Sequence, residues 1–173
     1  MPEMLNVSEV LNYLELKETM SAVEFGCGSA DFSIALARKL TKGKVVAIDI
    51  QEEKLSAVKS KMAIHKLTNI TTILGDLEAH QGSTLVDDSQ DVAVIPNVLF
   101  QAENKRGIIS EGARILKSNG QLLIVDWLAN TPFGPKEGTI PPEEMKKMAG
   151  DADLKLQKEF AAGDYHYALL FTK

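Results

Sequence analysis

The sequence predicts an α/β fold of the Rossmann-like, doubly wound kind: a mostly parallel seven-stranded sheet that ends in a C-terminal antiparallel hairpin. Two observations carry this. Short apolar runs rich in β-branched residues alternate with stretches of helical period, the pattern of a parallel sheet covered by helices on both faces. The last third of the chain then changes to a loop, one helix and two strands joined by a link of hairpin length.

Strands are expected at residues 22–25, 45–49, 71–74, 91–95 and 121–126. Between the first two, Phe32, Ala35, Leu36 and Leu40 fall at i, i+3, i+4 and i+8, one face of a helix. The next helix places Leu55, Val58 and Met62 inward and turns Lys54, Lys59 and Lys61 elsewhere. A third spans 104–116, buries Ile109, Ala113 and Leu116, and stops near Asn119-Gly120, a helix-ending pair. Residues 130–138 hold two prolines and two glycines and read as a loop. Pro141 and Pro142 open a helix that Gly150 ends. Strands at 154–160 and 165–172 form the hairpin. Ahead of the sheet, Val7, Val10, Leu11 and Leu14 form an amphipathic helix. The expected organisation is one domain over 1–173: an N-terminal helix in 1–20, a ligand-binding core in 21–128, and the closing helix and hairpin in 129–173.

Composition narrows the function classes. A chain of 173 residues with 45% hydrophobic and 25% charged residues has the balance of a soluble globular domain. Its apolar runs are far shorter than the roughly 20 residues that cross a bilayer, so no membrane span is expected. The single cysteine, Cys27, forms no internal disulfide. With no basic-then-apolar leader, this sets the expected location as cytoplasmic. The net charge is −5, from 24 acidic and 19 basic residues, and the lysines are scattered. Nucleic acid is disfavoured as a partner, because binding phosphates needs a concentrated basic surface.

The chemistry-bearing segment is Val23-Glu24-Phe25-Gly26-Cys27-Gly28-Ser29-Ala30-Asp31. Gly26 and Gly28 let the backbone turn sharply and approach a ligand, while the free amides of the following helix make a partly positive edge. The turn falls at the first strand-to-helix switch, where open α/β sheets bind ligands. Asp49, 21 residues after Gly28 at the end of the second strand, suits the two hydroxyls of a ribose; the plainer reading is a cap on the helix that starts near Glu52. A dinucleotide fingerprint wants glycine or alanine where this chain has Asp31. That acid, with Glu24 two residues before the first glycine, favours a cationic ligand over a diphosphate.

On these residues the chain resembles the class I S-adenosylmethionine-dependent methyltransferases. Residues 23–28 look like their first motif, Asp49 like the acid ending their second strand, and Gly75-Asp76-Leu77 like their third motif. Residues 91–101 resemble the fourth strand and its turn, and 114–121 the approach to the fifth. Trp127 and the Gly134-Pro135 loop are similar to the ubiquinone and menaquinone biosynthesis branch, the type 11 methyltransferases. The resemblance implies S-adenosylmethionine as cofactor. Gly26, Cys27 and Gly28 would hold the methionine part with Glu24 near its amine, Asp49 the ribose with Ile50 beside it, Asp76 the adenine amino group and the Leu77 amide its ring. Asn97 would lie beside the sulfonium, with Val98 closing over it. Ala30 departs from the pattern, standing where many relatives have a third glycine.

A methyl-transfer reaction on a small-molecule acceptor follows as the expected function. The rivals are an NAD-dependent oxidoreductase, against which Asp31 and the short chain speak, and a non-catalytic methyltransferase-like binding protein. No catalytic base stands out. Asp126 after the fifth strand and Gln101 after the fourth are placed to face an acceptor, or to serve as pocket wall or cap. Phe100 and Trp127 read as lid or core aromatics. His65, His80 and His166 have no metal-ligand spacing, so no metal is expected, and Cys27 reads as a spectator. The oligomeric state stays open, with a homodimer among the assemblies considered.

Overall fold

The computed structural model describes residues 2–173. The first sheet strand, β1 (Ser21–Phe25), is buried along nearly its whole length and lies in the middle of the sheet. In chain order there follow α2 (Asp31–Lys39), β2 (Lys44–Asp49), α3 (Glu52–His65), β3 (Ile70–Leu74), β4 (Gln90–Pro96), a 3₁₀ turn (Leu99–Gln101), α4 (Lys105–Ile115) and β5 (Leu116–Trp127). The chain closes with α5 (Pro142–Gly150), β6 (Lys155–Ala161) and β7 (His166–Thr172); a short helix α1 (Val7–Leu11) precedes β1.

The seven strands run in the order β3-β2-β1-β4-β5-β7-β6. The first five pair in parallel, and β7 joins β5 and β6 antiparallel. Strands buried on both faces read as continuous apolar runs, and Val92–Ile95 and Leu122–Val125 do so with no exposed surface. One apolar core lies beneath α1, α2 and α3 (Val10, Leu36, Val58, Leu123), the other beneath α4 and α5 (Phe25, Ile109, Ile124, Met145). Each fully buried Val, Leu or Ile contributes about 1.5–3 kcal/mol relative to exposure. Strand order reverses between β1 and β4, which opens a crevice at their carboxyl ends, the place where sheets of this kind bind ligands.

Two expected boundaries differ. The N-terminal helix stops at Leu11, and Leu14 reaches the core through successive turns, with the Tyr13 and Leu14 amides bonding to Val10 and Leu11 carbonyls. Helix α4 ends at Ile115 rather than near Asn119-Gly120. Leu116 is already extended (φ −73°, ψ 135°) and pairs with Gln90. Asn119 does take the left-handed conformation its type favours (φ 64°), but inside β5, where the β4–β5 register shifts. Its amide bonds the Lys173 carbonyl (3.1 Å), and the Lys173 amide bonds Gly120 (3.0 Å). The turn signal is real; it serves a bulge tied to the end of β7 rather than a helix terminus.

Candidate active site

The turn after β1 is built on left-handed backbone at Gly26 (φ 70°), Gly28 (φ 42°) and Ala30 (φ 67°). Ala30 holds a conformation that costs a non-glycine residue about 1–2 kcal/mol, the physical reason the third glycine of the resembling motif suits this position. The Gly26 and Cys27 amides both donate to the Ile48 carbonyl of β2 (2.8 and 3.0 Å), which fixes the turn to the neighbouring strand. A Cβ on Gly26 would collide with Val98, whereas one on Gly28 would meet nothing nearer than 3.9 Å. Gly26 is thus a packing glycine, and Gly28 borders open space.

That space is a cleft of about 580 Å³, within the ~300–1,000 Å³ usual for small-molecule sites. It brings together Glu24, Gly26, Cys27, Gly28, Asp49, Ile50, Asp76, Leu77, Asn97, Val98 and Gln101. Asp49 is buried and shares its carboxylate between two turns: Oδ2 accepts the Gly28 amide (3.1 Å) and Oδ1 the Gln51 amide (3.0 Å). It therefore ties the glycine turn to the start of α3, while a carboxylate's further lone pairs stay available to a ligand. Ile50 is 64% exposed although apolar, forming a greasy ledge on the cleft rim. Opposite, Asp76 accepts the Glu78 amide (3.0 Å), and Glu78 is held by the Asn104 amide (2.5 Å). Asn97 is left-handed (φ 54°), with its amide bonded to Val125 (2.8 Å); its Oδ1 is buried without a partner.

Of two acids singled out in the sequence, Asp31 departs from its expected role and Asp126 fits the cap alternative. Asp31 borders the cleft, but its carboxylate is engaged by Lys61 (2.7 Å) and Ser29 (2.7 Å). Although burial opposes this, the bonds from Lys61 and Ser29 hold its carboxyl below the usual range, so Asp31 offers a ligand little free charge. Asp126 lies outside the cleft lining and is fully buried, accepting the Phe100 (3.2 Å) and Trp127 (2.8 Å) amides. Burial pushes its carboxyl up to about 6. It acts as a staple for the 3₁₀ turn, while Gln101 remains exposed at the rim and donates to the Asn97 carbonyl (3.3 Å). Cys27 is buried and its thiol is pushed up to about 12 by burial, far from thiolate chemistry.

Leu5 and Val7 of the N-terminal segment, with Lys54 of α3, also line the cleft. The segment is pinned across the molecule by the Glu3 amide on Asp164 Oδ2 (2.8 Å) and the Asp164 amide on the Glu3 carbonyl (2.9 Å). No local motif marks these residues; only the apolar period of 7–14 hints that the segment packs. Among the described residues there is no cluster of three or more metal-ligating side chains and no helix long and apolar enough to cross a membrane.

A family model described as a methyltransferase domain matches residues 16–161. Demethylmenaquinone methyltransferase of Bacillus cereus is 26% identical over 133 residues, covering 76% of this chain and 55% of the relative; the chain thus spans about half the length of the curated relatives it matches. Among solved structures, a SAM-dependent methyltransferase from Aquifex aeolicus superposes with a TM-score of 0.85 at 22% identity, covering 97% of this chain and 89% of that one. A Sulfolobus solfataricus chain assigned by inference to the type 11 methyltransferases gives 0.79 at 26% identity, covering 98% and 92%. The [4+2]-cyclase SpnF gives 0.84 at 12% identity, covering 96% and 79%, so the fold also hosts other chemistry. With the family model spanning most of its length, the chain belongs to the methyltransferase-domain family of class I S-adenosylmethionine-dependent methyltransferases.

Proposed function

We propose that the cleft binds S-adenosylmethionine and that the chain transfers its methyl group to a small-molecule acceptor. The observation that carries this reading is the corner where Gly28, open toward the cleft, meets the Asp49 carboxylate at the reversal of strand order. The residues fit the cofactor's groups. Asp49 accepts the ribose hydroxyls, the turn at Gly26–Gly28 takes the methionine part with Glu24 behind it, and Ile50 lies against the adenine. Asp76 and the Leu77 amide read the adenine edge. Asn97, in left-handed backbone just after β4, lines the cleft beside Val98 and lies against the sulfur end of the cofactor.

When bound, the cofactor supplies a methyl group already activated by positively charged sulfur, so this chain's residues have to orient and exclude water rather than provide a nucleophile. Val98, packed on the glycine turn, and Leu5 and Val7 of the pinned N-terminal segment close the apolar side of the cleft. Gln101 at the rim is the side chain placed toward an acceptor. Demethylmenaquinone, named for the relatives, is a candidate acceptor. Residues 1–173 are expected to act as one domain, in the cytoplasm.

The test is calorimetric titration with S-adenosylmethionine, S-adenosylhomocysteine and NAD in parallel. Binding of the two sulfur nucleosides without NAD supports the reading. NAD binding alone would replace it with an oxidoreductase, and no binding at all would favour a non-catalytic scaffold.

A further inference from the structure

Glu24 is a buried acid whose set of partners is incomplete. Only 2% of it is exposed, yet it lines the cleft. The hydrogen bonds it receives, from the Ser33 amide (2.8 Å) and the Ser33 hydroxyl, both fall on Oε2. Among the described residues no donor reaches Oε1, and Oε1 is not one of the sealed polar atoms that lack a partner. That oxygen therefore opens onto the cleft.

Among the described residues no cation bonds Glu24. The charges that act on it are Asp31 at the start of α2 and Asp49 at the end of β2, both acidic. Lys61 is spent on Asp31. Lys54 of α3 lines the cleft but makes no bond to Glu24. The far wall adds two more acids, Asp76 and Glu78, while the N-terminal segment and the end of β4 contribute uncharged side chains. A carboxylate removed from water among other acids, with one oxygen unsatisfied, is disfavoured against its protonated form. Consistent with this, burial pushes the Glu24 carboxyl up to about 8.

We propose that Glu24 is a proton-exchanging receptor for a ligand's ammonium group: it is a neutral acid in the free protein, and the arriving cation drives its proton out to solvent. The inference rests on the cofactor reading above. The carboxyl loses one proton to buffer, the ligand ammonium keeps its own, and no other bond changes. Each ligand bound releases one proton, and affinity rises with pH while Glu24 is protonated in the free protein. An α-amino group itself titrates near ~8, so the informative window lies below neutrality.

The experiment is calorimetry of the full chain with S-adenosylhomocysteine in two buffers of different ionisation enthalpy, at about pH 6.5. The expected result is about one proton released per ligand and an affinity rising about tenfold between about pH 6 and 7. 5′-Methylthioadenosine has the nucleoside and the thioether but no ammonium, and should bind without proton release. Glu24→Gln should bind S-adenosylhomocysteine with no proton release and a flat pH profile. Binding of S-adenosylhomocysteine with no proton exchange, equal release by methylthioadenosine, or persistent release in Glu24→Gln would each overturn the proposal. If the variant does not fold, the two ligands compared on the unaltered chain decide. If methylthioadenosine is too weak to titrate, the pH profile of S-adenosylhomocysteine decides. Failure of every nucleoside to bind refutes the cofactor reading itself, whereas binding without proton release refutes only the role of Glu24.

Discussion

Asp49→Ala separates two roles that the structure places on one carboxylate. In the free protein the side chain accepts the Gly28 and Gln51 amides. Gln51 is exposed, so water replaces its partner at little cost, but the Gly28 amide lies in a half-buried turn. Leaving such a donor unsatisfied costs about 1–3 kcal/mol. At about 2–4 °C per kcal/mol for a chain of this size, the midpoint of thermal unfolding should fall by several degrees. Ligand binding should suffer separately, since charge-assisted bonds to two ribose hydroxyls are lost. A loss of about 1–3 kcal/mol corresponds to an affinity for S-adenosylmethionine about 5- to 150-fold weaker. Thermal melts of the free protein read the first effect, and calorimetric titration well below the melting point reads the second. A lowered midpoint with unchanged affinity would refute the ribose assignment and leave Asp49 as a cap for the glycine turn and α3.

Three further outcomes follow from the geometry. Gly26→Ala forces a methyl into Val98 on left-handed backbone, so it should destabilise the fold by about 2 kcal/mol or more. Gly28→Ala meets only open space and should cost about 1–2 kcal/mol while weakening nucleoside binding more than stability; equal damage by the two variants in urea melts and titrations would contradict the distinction. His166 is 2% exposed, packs tilted against Trp127 (3.9 Å between ring centroids, 38° between planes), and has no partner for either ring nitrogen. Burial pushes its imidazole down to about 4 from its ordinary 6.5. The unfolded chain therefore takes up the proton first, and stability present above about pH 6.5 is lost as pH falls toward 4. His166→Phe should lose less, diverging from the unaltered chain by up to ~1.4 kcal/mol per pH unit in that window; parallel pH profiles would count against it. Finally, Arg114 donates to Glu111 (2.7 and 2.8 Å) and to the Leu85 carbonyl (2.8 Å), and Glu111 is only 5% exposed. Arg114→Met strands that acid and should cost about 3 kcal/mol, partly recovered by adding Glu111→Gln. The absence of recovery in urea melts would show that Arg114 works through packing alone.

Most of the sheet is legible in the sequence because a strand buried on both faces has few polar positions to blur it: 92–95 and 122–125 stand out as unbroken apolar runs. What stays hidden are features decided by partners far along the chain. Asn119-Gly120 carries a true signal for left-handed backbone, but whether it ends a helix or makes a bulge depends on Lys173, more than fifty residues away. The glycine turn and Asp49 are legible because their spacing is local and their chemistry demanding. The cleft wall at Leu5 and Val7 is not, since it depends on packing against the core and on Glu3 meeting Asp164 at the other end of the chain. Asp126 looks like a site residue by position, yet its carboxylate is turned toward the two backbone amides it staples.

The choice between a cationic and a diphosphate ligand shifts from one acid to another once packing is known. From the sequence, Asp31 looks like the repelling charge beside the glycine turn, but Lys61 and Ser29 satisfy it at 2.7 Å each. Glu24, which reads as a supporting residue, is the acid with an oxygen left over on the cleft side. A diphosphate near that oxygen would hold Glu24 in its neutral form and gain one hydrogen bond from its O–H, whereas an ammonium gains a full carboxylate in a site poor in water, where an ion pair is worth more than at the surface. On the role proposed for Glu24, the selectivity of the turn rests on that residue: Glu24→Gln should narrow the gap in affinity between S-adenosylhomocysteine and 5′-methylthioadenosine, while Asp31→Asn should leave that gap nearly as wide as before. The opposite ranking in competition titrations would return the role to Asp31.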